Sequence, residues 1–166
     1  NNTALSRVAE EAGADGYSVK VKMRVQGEAK FLAEELCQKI FSLKIKKPVI
    51  YFFGGETTVT LPRIHGRGGR NMEFIVACLN YLKNKKISGQ LVILSLATDG
   101  LDYLPQSAGG IIDNRSVDEV KRKKIDVKGA LKQHSSYDLL NSINANLKIG
   151  KPTGTNVGDI MMFYRS

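Results

Sequence analysis

The chain has 166 residues, 42% hydrophobic and 25% charged, with a formal charge of +9 from 25 Lys and Arg against 16 Asp and Glu. Those proportions suit one globular domain long enough to bury its own core. The longest apolar runs, Val49–Phe53 and Leu91–Ala97, are strand-sized, so a membrane helix of about 20 residues is excluded.

The positive charge invites a nucleic-acid reading, but the sequence argues against one. The basic residues are dispersed over Lys20/Lys22, Lys44/Lys46/Lys47, Lys83/Lys85/Lys86 and Arg122–Lys124. Trp is absent, and no aromatic cluster interleaves with the cations as a base-stacking platform would. Most of this charge reads as solvated surface. Cys37 and Cys78 fall on apolar helix stripes and read as reduced core thiols of a cytoplasmic protein; a disulfide stays open, a metal pair does not. The chain starts at Asn1 rather than Met, shows no signal peptide, and opens onto a helix pattern, as expected of a piece of something longer.

In chain order, Leu5, Val8, Ala9 and Ala12 give residues 2–13 one apolar helical face, stopped by Gly13 and Gly16. Ser18–Val25 alternates, with Val19, Val21, Met23 and Val25 on one side, which predicts a half-buried strand near a sheet edge. Gly27-Glu28 leads into a second helix with the stripe Leu32, Leu36, Ile40, Leu43, ended by Lys44–Pro48. Val49–Phe53 reads as a central strand covered on both faces, and Thr57–Leu61 as a β-branched segment that pairs nearby and closes at Pro62. A helix is predicted over 70–84, then a second buried strand, LVILSLA. Ser107–Gly110 is small and flexible. Asp113 or Asn114 caps a short helix through Lys123, a weaker pattern covers 126–133, and Ser135 or Ser136 caps a helix over Tyr137–Ile143. IMMFY is a last strand. Helices alternating with apolar strands predict a three-layer α/β/α sandwich on a mostly parallel or mixed sheet.

The chemistry concentrates in GGETTVTLPRIHGRGGRNME, residues 54–73. Glycine pairs Gly54-Gly55 and Gly68-Gly69 permit close backbone approach to a ligand. Arg67 and Arg70 stand at the entrance to the helix over 70–84, where free N–H groups and the helix dipole favour an anion and guanidinium forks match a phosphate or carboxylate. Glu56, Thr57, Asn71 and Glu73 lie beside them; Asn71 and Glu73 also suit a capping role. The strand LVILSLA ends in Thr98-Asp99-Gly100-Leu101-Asp102, and open α/β sheets bind ligands beyond such strand ends. Neither nucleotide fingerprint fits: the third glycine of G-x-G-x-x-G is missing at Asn71, and in IGKPT Ala145 occupies the first Walker glycine position and Pro152 follows Lys151. His65 and His134 carry no assigned role.

Four motifs in order resemble one family: Gly54-Gly55-Glu56-Thr57-Thr58-Val59, Gly66-Arg67-Gly68-Gly69-Arg70-Asn71-Met72-Glu73, Thr98-Asp99-Gly100-Leu101-Asp102 and Thr153-Gly154-Thr155-Asn156-Val157. The family is the class II glycerate kinases. Residues from about 48 onward resemble their C-terminal MOFRL domain, and residues 1–47 the helix-strand-helix lead-in. The resemblance implies an ATP- and Mg²⁺-dependent transfer of the γ-phosphoryl group to D-glycerate, usually giving 2-phosphoglycerate, in a cleft shared with a larger N-terminal domain absent from this sequence. Some relatives carry the label hydroxypyruvate reductase. For that chemistry Arg70 first and Arg67 second are the candidates to hold the glycerate carboxylate or the transferring phosphoryl, and Asp99 or Asp102 would bind Mg²⁺ or accept the substrate hydroxyl proton, with Asp99 preferred for the metal. Gly54, Gly55, Glu56, Thr57, Gly68, Gly69, Asn71, Glu73, Thr153 and Asn156 would contact substrate or nucleotide. The chain departs from the family at Met72 (usually Gln), at Tyr103-Leu104-Pro105 (usually Gly-Pro-Thr), and at His134-Ser135-Ser136 (usually Asn-Asp-Ser). Two other classes remain: an inert anion-binding or interaction domain, and an oxidoreductase. Oligomeric state is open.

Overall fold

The computed structural model describes residues 2–105, 107–149 and 152–166. Gly150 and Lys151 of the IGKPT stretch lie outside them. Six strands form one mixed sheet: β1 (Ser18–Glu28), β2 (Val49–Thr58), β3 (Leu91–Ala97), β4 (Gly109–Asp113), β5 (Asn146–Leu147) and β6 (Asp159–Arg165), in the spatial order β1-β2-β6-β3-β4-β5. β1 and β2 are parallel, whereas β6 runs antiparallel between β2 and β3. β1, β2 and β3 therefore point the same way and end at the edge where β6 begins. β1 is at the sheet edge, as its alternation predicts.

Helices lie on both faces of the sheet. α2 (Ala29–Ser42) and α3 (Arg70–Leu82) bridge the parallel strands and build the main core with Tyr51, Phe53, Ile93 and Phe163. The shorter α4 (Asn114–Arg122), α5 (Val127–Lys132) and α6 (Ser136–Ser142) add Val117, Val120, Val127, Leu139 and Leu140 to it. α3 is the axis of this layer: Met72, Phe74, Ile75, Val76, Cys78, Leu79 and Leu82 are fully buried. On the opposite face α1 (Asn2–Ala14) is the helix that covers β1 and β2 among the described residues, with Leu5 against Ile50 and Phe52. Val92, Leu94 and Leu96 of β3 face that second side and stay partly exposed, so LVILSLA is covered on one face rather than two. An apolar run alone does not say which layers exist.

Other local differences have clear causes. Arg24 adopts φ 58°, and the register with β2 slips between Met23 and Val25. This bulge turns Val25 into the main core, away from Val19 and Met23 on the α1 side. Gly54 and Gly55 do not form a loop: β2 continues through them to Thr58, and residues 59–61 are irregular. Part of the segment read as flexible, Gly109–Gly110, opens β4. Asp113 caps α4 in a reciprocal box with Ser116. Ser135 occupies the cap position of α6, but its hydroxyl donates to Ala130 O instead. Cys37 and Cys78 are free and buried; burial, then a hydrogen bond with Cys37, pushes the Cys78 thiol well up.

Candidate functional site

The common edge of β1, β2 and β3 gathers the polar groups of the chain into a buried network. Asp102, beyond β3, is fully buried. Its Oδ1 accepts from the Asn71 backbone N–H (3.1 Å) and side-chain Nδ2 (3.3 Å), and its Oδ2 accepts from Met72 N–H (2.8 Å). Gly69, the residue preceding α3, has no capping side chain, so Asp102 caps that helix from thirty residues away. Desolvation pushes the Asp102 pKa up to about 6 against those hydrogen bonds, with the nearby Asp159 charge adding to the rise.

Asp159, the first residue of β6, is fully buried and receives both arms of Arg70: Nε to Oδ2 at 2.7 Å and Nη2 to Oδ1 at 2.8 Å. Asn71 Nδ2 (3.0 Å) and Thr57 N–H (3.3 Å) also donate to it. Asn71 is completed by Ser95 Oγ, which donates to its Oδ1 at 2.6 Å. The Asp159 hydrogen bonds raise the Arg70 pKa further, so the guanidinium stays charged. Arg70 Nη1 has no partner among the described residues, and the side chain keeps 29% of its exposure.

This arrangement corrects the expected anion site in two ways. The Asn71 and Met72 N–H groups in the first turn of α3 are not free, because Asp102 takes them. The bidentate fork of Arg70 is directed at Asp159 through Nε and one Nη2 hydrogen, which leaves three of its five N–H donors for a ligand. Asn71 is the centre of the buried network rather than a contact at its surface.

Gly66, Gly68 and Gly69 approach the protein's own atoms. A methyl group at Gly68 would overlap Ser136 Oγ, and one at Gly69 would overlap the Asp102 backbone and carboxyl. Likewise a methyl at Gly55 would overlap the Val25 carbonyl at the β1 bulge. Arg67 is exposed, pairs with Asp138 and lies 5.2 Å from the Tyr137 ring centre, on the rim.

A cleft of about 230 Å³ opens over the network, lined by Gly68, Gly69, Arg70, Glu73, Asp102 and His134 among others. Glu73 does not neutralise the helix end in water. It is buried, and its Oε2 lies 2.8 Å from His134 Nδ1. Glu56 is exposed and lines a second hollow with Arg24, Gln26 and Val157; Thr57 beside it is buried.

Asp99 stands apart from Arg70 and Asp102. Its Oδ1 accepts from Leu101 N–H (3.0 Å) and its Oδ2 from Asn156 Nδ2 (3.2 Å), while its carbonyl accepts from Thr153 N–H (3.0 Å). Asp99, Thr153 and Asn156 thus form a second, exposed cluster. Among the described residues no three His, Cys, Asp or Glu side chains converge as a metal cage. Mg²⁺ asks for only one or two protein carboxylates beside water and phosphate. Asp99, partly exposed with one donor on each oxygen, fits a single such ligand. Asp102, buried with three N–H donors on its carboxylate, does not.

Sequence reasoning missed Asp159, Ser95 and His134. The first two carry a local signal: Asp159 opens the apolar strand IMMFY, and Ser95 interrupts the apolar LVILSLA. His134 gives none, because its partner is 61 residues away.

The MOFRL family pattern matches residues 49–159. A glycerate 2-kinase of Pyrococcus horikoshii is 34% identical over 167 residues, spanning 96% of this chain and 36% of the relative. A putative hydroxypyruvate reductase of Agrobacterium vitis is 35% identical over 164 residues, spanning 95% of this chain and 42% of that protein. Among solved structures, a Pyrococcus horikoshii protein superposes with a TM-score of 0.89 at 30% identity, covering 100% of this chain and 38% of the other. The glycerate kinase of Thermotoga maritima superposes with a TM-score of 0.84 at 30% identity, covering 98% and 40%. The chain spans roughly two fifths of the length of these proteins.

Proposed function

Because this chain belongs to the MOFRL family, we propose that it forms the C-terminal part of an ATP-dependent glycerate kinase that phosphorylates D-glycerate to 2-phosphoglycerate. The observation that carries this reading is Arg70, held by two hydrogen bonds to buried Asp159 at the strand-end edge while it lines a cleft. Phosphoryl transfer depends mainly on positioning and on charge stabilisation. ATP supplies the phosphoryl group, and Mg²⁺ neutralises its charge when bound. Of this chain's residues, Arg70 holds the acceptor's carboxylate or the transferring group. Asp159, Asn71 and Ser95 keep it in place, and Asp102 fixes the start of α3 beneath it. Asp99 supplies one oxygen toward Mg²⁺, with Thr153 and Asn156 shaping its loop. Arg67 acts from the rim. A cleft with one wall binds weakly, so the 166-residue piece alone does not turn over substrate.

The test is product analysis with the full-length protein, D-glycerate, ATP and Mg²⁺. ADP and 2-phosphoglycerate are expected, and the 166-residue piece should yield neither. The name of the Agrobacterium vitis relative motivates a parallel assay with hydroxypyruvate and NADH or NADPH. Steady hydroxypyruvate reduction without ADP release would replace the kinase reading with the oxidoreductase one.

A further inference from the structure

Among the described residues five non-glycines have positive φ, and four of them have a local reason. Lys124, His134 and Asn144 each stand one residue past the cap of α4, α5 or α6, where the left-handed region commonly ends a helix. Tyr103 turns the chain so that Leu104 N–H donates to Asp102 O (2.8 Å). Arg24, φ 58°, is the one inside a strand. Met23 pairs with Gly54 and Val25 with Gly55, so Arg24 is the extra residue of the β1 bulge and has no partner across the ladder. Glycine or asparagine takes that conformation more easily than a long cationic side chain. The Arg24 side chain is exposed and makes no hydrogen bond or ion pair among the described residues. Its five N–H donors are therefore open, and the guanidinium is charged at any pH the fold survives. Arg24 lines a hollow of about 400 Å³ with Gln26, Gly54, Gly55, Glu56 and Gly158. Glycines let an extended ligand lie against the backbone. The hollow adjoins both clusters of the site. Gly158 N–H donates to Asn156 Oδ1 (3.0 Å), and Asn156 Nδ2 to Asp99 Oδ2 (3.2 Å). Thr57, next to Glu56, donates its N–H to Asp159 (3.3 Å), the anchor of Arg70.

We propose that the Arg24 hollow takes the phosphate chain of the donor nucleotide, with the Arg24 guanidinium on its oxygens, while the acceptor occupies the separate cleft beside Arg70. Arg70 already answers the acceptor's one carboxylate, so a second, unpaired arginine beside the Asp99 cluster fits the other anion of the reaction. Glu56 in the same lining repels a bare polyanion, so the phosphate chain that fits is one carrying its divalent cation. Arg24 binds and positions; the arrangement assigns it no proton or phosphoryl transfer. This inference rests on the kinase reading for the donor's identity, but nucleotide binding tests it apart from turnover.

The experiment is calorimetric titration of the full-length protein with ADP in the presence of Mg²⁺ and, separately, with D-glycerate. Arg24→Gly, which suits the bulge while removing the guanidinium, should weaken ADP by about tenfold or more and leave D-glycerate within about twofold of the wild type. If Arg24→Gly fails to fold, Arg24→Asn, whose residue also tolerates the left-handed region, is read by the same criteria. A merely structural role for the bulge would move both ligands together. The proposal is overturned if the folded variant binds ADP as the wild type does, if it loses ADP and D-glycerate equally, or if the wild type binds no ADP. When the wild type binds ADP and yields 2-phosphoglycerate but the variant's ADP affinity is unchanged, this inference alone falls. Hydroxypyruvate reduction by a wild type that binds no ADP removes the kinase reading with it.

Discussion

Arg70 is constrained from one side only. Asp159 takes its Nε and Nη2, so a substitution at either residue acts on stability and on the cleft in different proportions. Arg70→Lys keeps the charge and loses the fork. In the full-length enzyme it should lower kcat/KM on the order of 100-fold, whereas Arg67→Lys, at the exposed rim, should stay within a few-fold. Asp159→Asn removes the buried charge that organises Arg70, Asn71 and Thr57, and should cost about 3 kcal/mol in urea unfolding. An Arg70→Lys enzyme that is folded and near wild-type in kcat/KM would contradict the role given to this residue. Asp102 adds a pH dependence. Its carboxyl is raised from the usual 3.8 to about 6, so the folded protein binds that proton more tightly than the unfolded chain. The raised carboxyl therefore makes stability fall as pH climbs from about 4 to 6, and the sense reverses on acidification. Measured against Asp102→Asn over this window, the wild type should lose stability with rising pH on the order of 3 kcal/mol. A pH-independent difference between the two proteins would show that the cap outweighs the burial.

At the scale of elements, glycines divide into those that tolerate a methyl group and those that do not. Gly13 sits in α1 with open space around it, and Gly13→Ala should stabilise the protein by roughly 0.5–1 kcal/mol. Gly55→Ala drives a methyl into the Val25 carbonyl where β1 bulges, and should cost more than about 3 kcal/mol or abolish folding. Equal melting temperatures for the two variants would refute the close approach. The same contrast shows what the sequence could and could not reveal. Periodicity found α1, α2, α3 and β1, and continuous apolar runs found the strands at Val49–Phe53 and Leu91–Ala97. It could not see that the Gly54-Gly55 pair lies inside β2, since what excludes a side chain there is the carbonyl of a neighbouring strand. Nor could it see β4, whose two glycines read as a flexible turn until Ile93 and Leu94 are placed beside Ile112 and Ile111. At the site, the motifs named Arg70, Asn71 and Asp102, which the fold joins in one network, alongside Arg67 and Asp99, which it does not. The partner that orders them, Asp159, lies 88 residues beyond Asn71, and no local pattern joins them.

For the whole molecule, the main feature is the position of β6. It follows every other strand in sequence yet lies between β2 and β3, and its first residue holds Arg70. A chain shortened to end before Asp159 should keep helical content but lose cooperative thermal unfolding, because β2 and β3 then have no strand between them. A sharp calorimetric transition in that shortened chain would show that the two halves of the sheet are stable without it. The same arrangement sets an order of events during synthesis. During synthesis the α1-β1-α2-β2 portion emerges before the rest of this stretch, with the edge of β2 that β6 later covers still unpaired. That edge waits until Asp159–Arg165 clears the exit tunnel. Slow translation through residues 90–158 thus lengthens the interval in which a holdase chaperone, or the same edge on another nascent chain, competes for it.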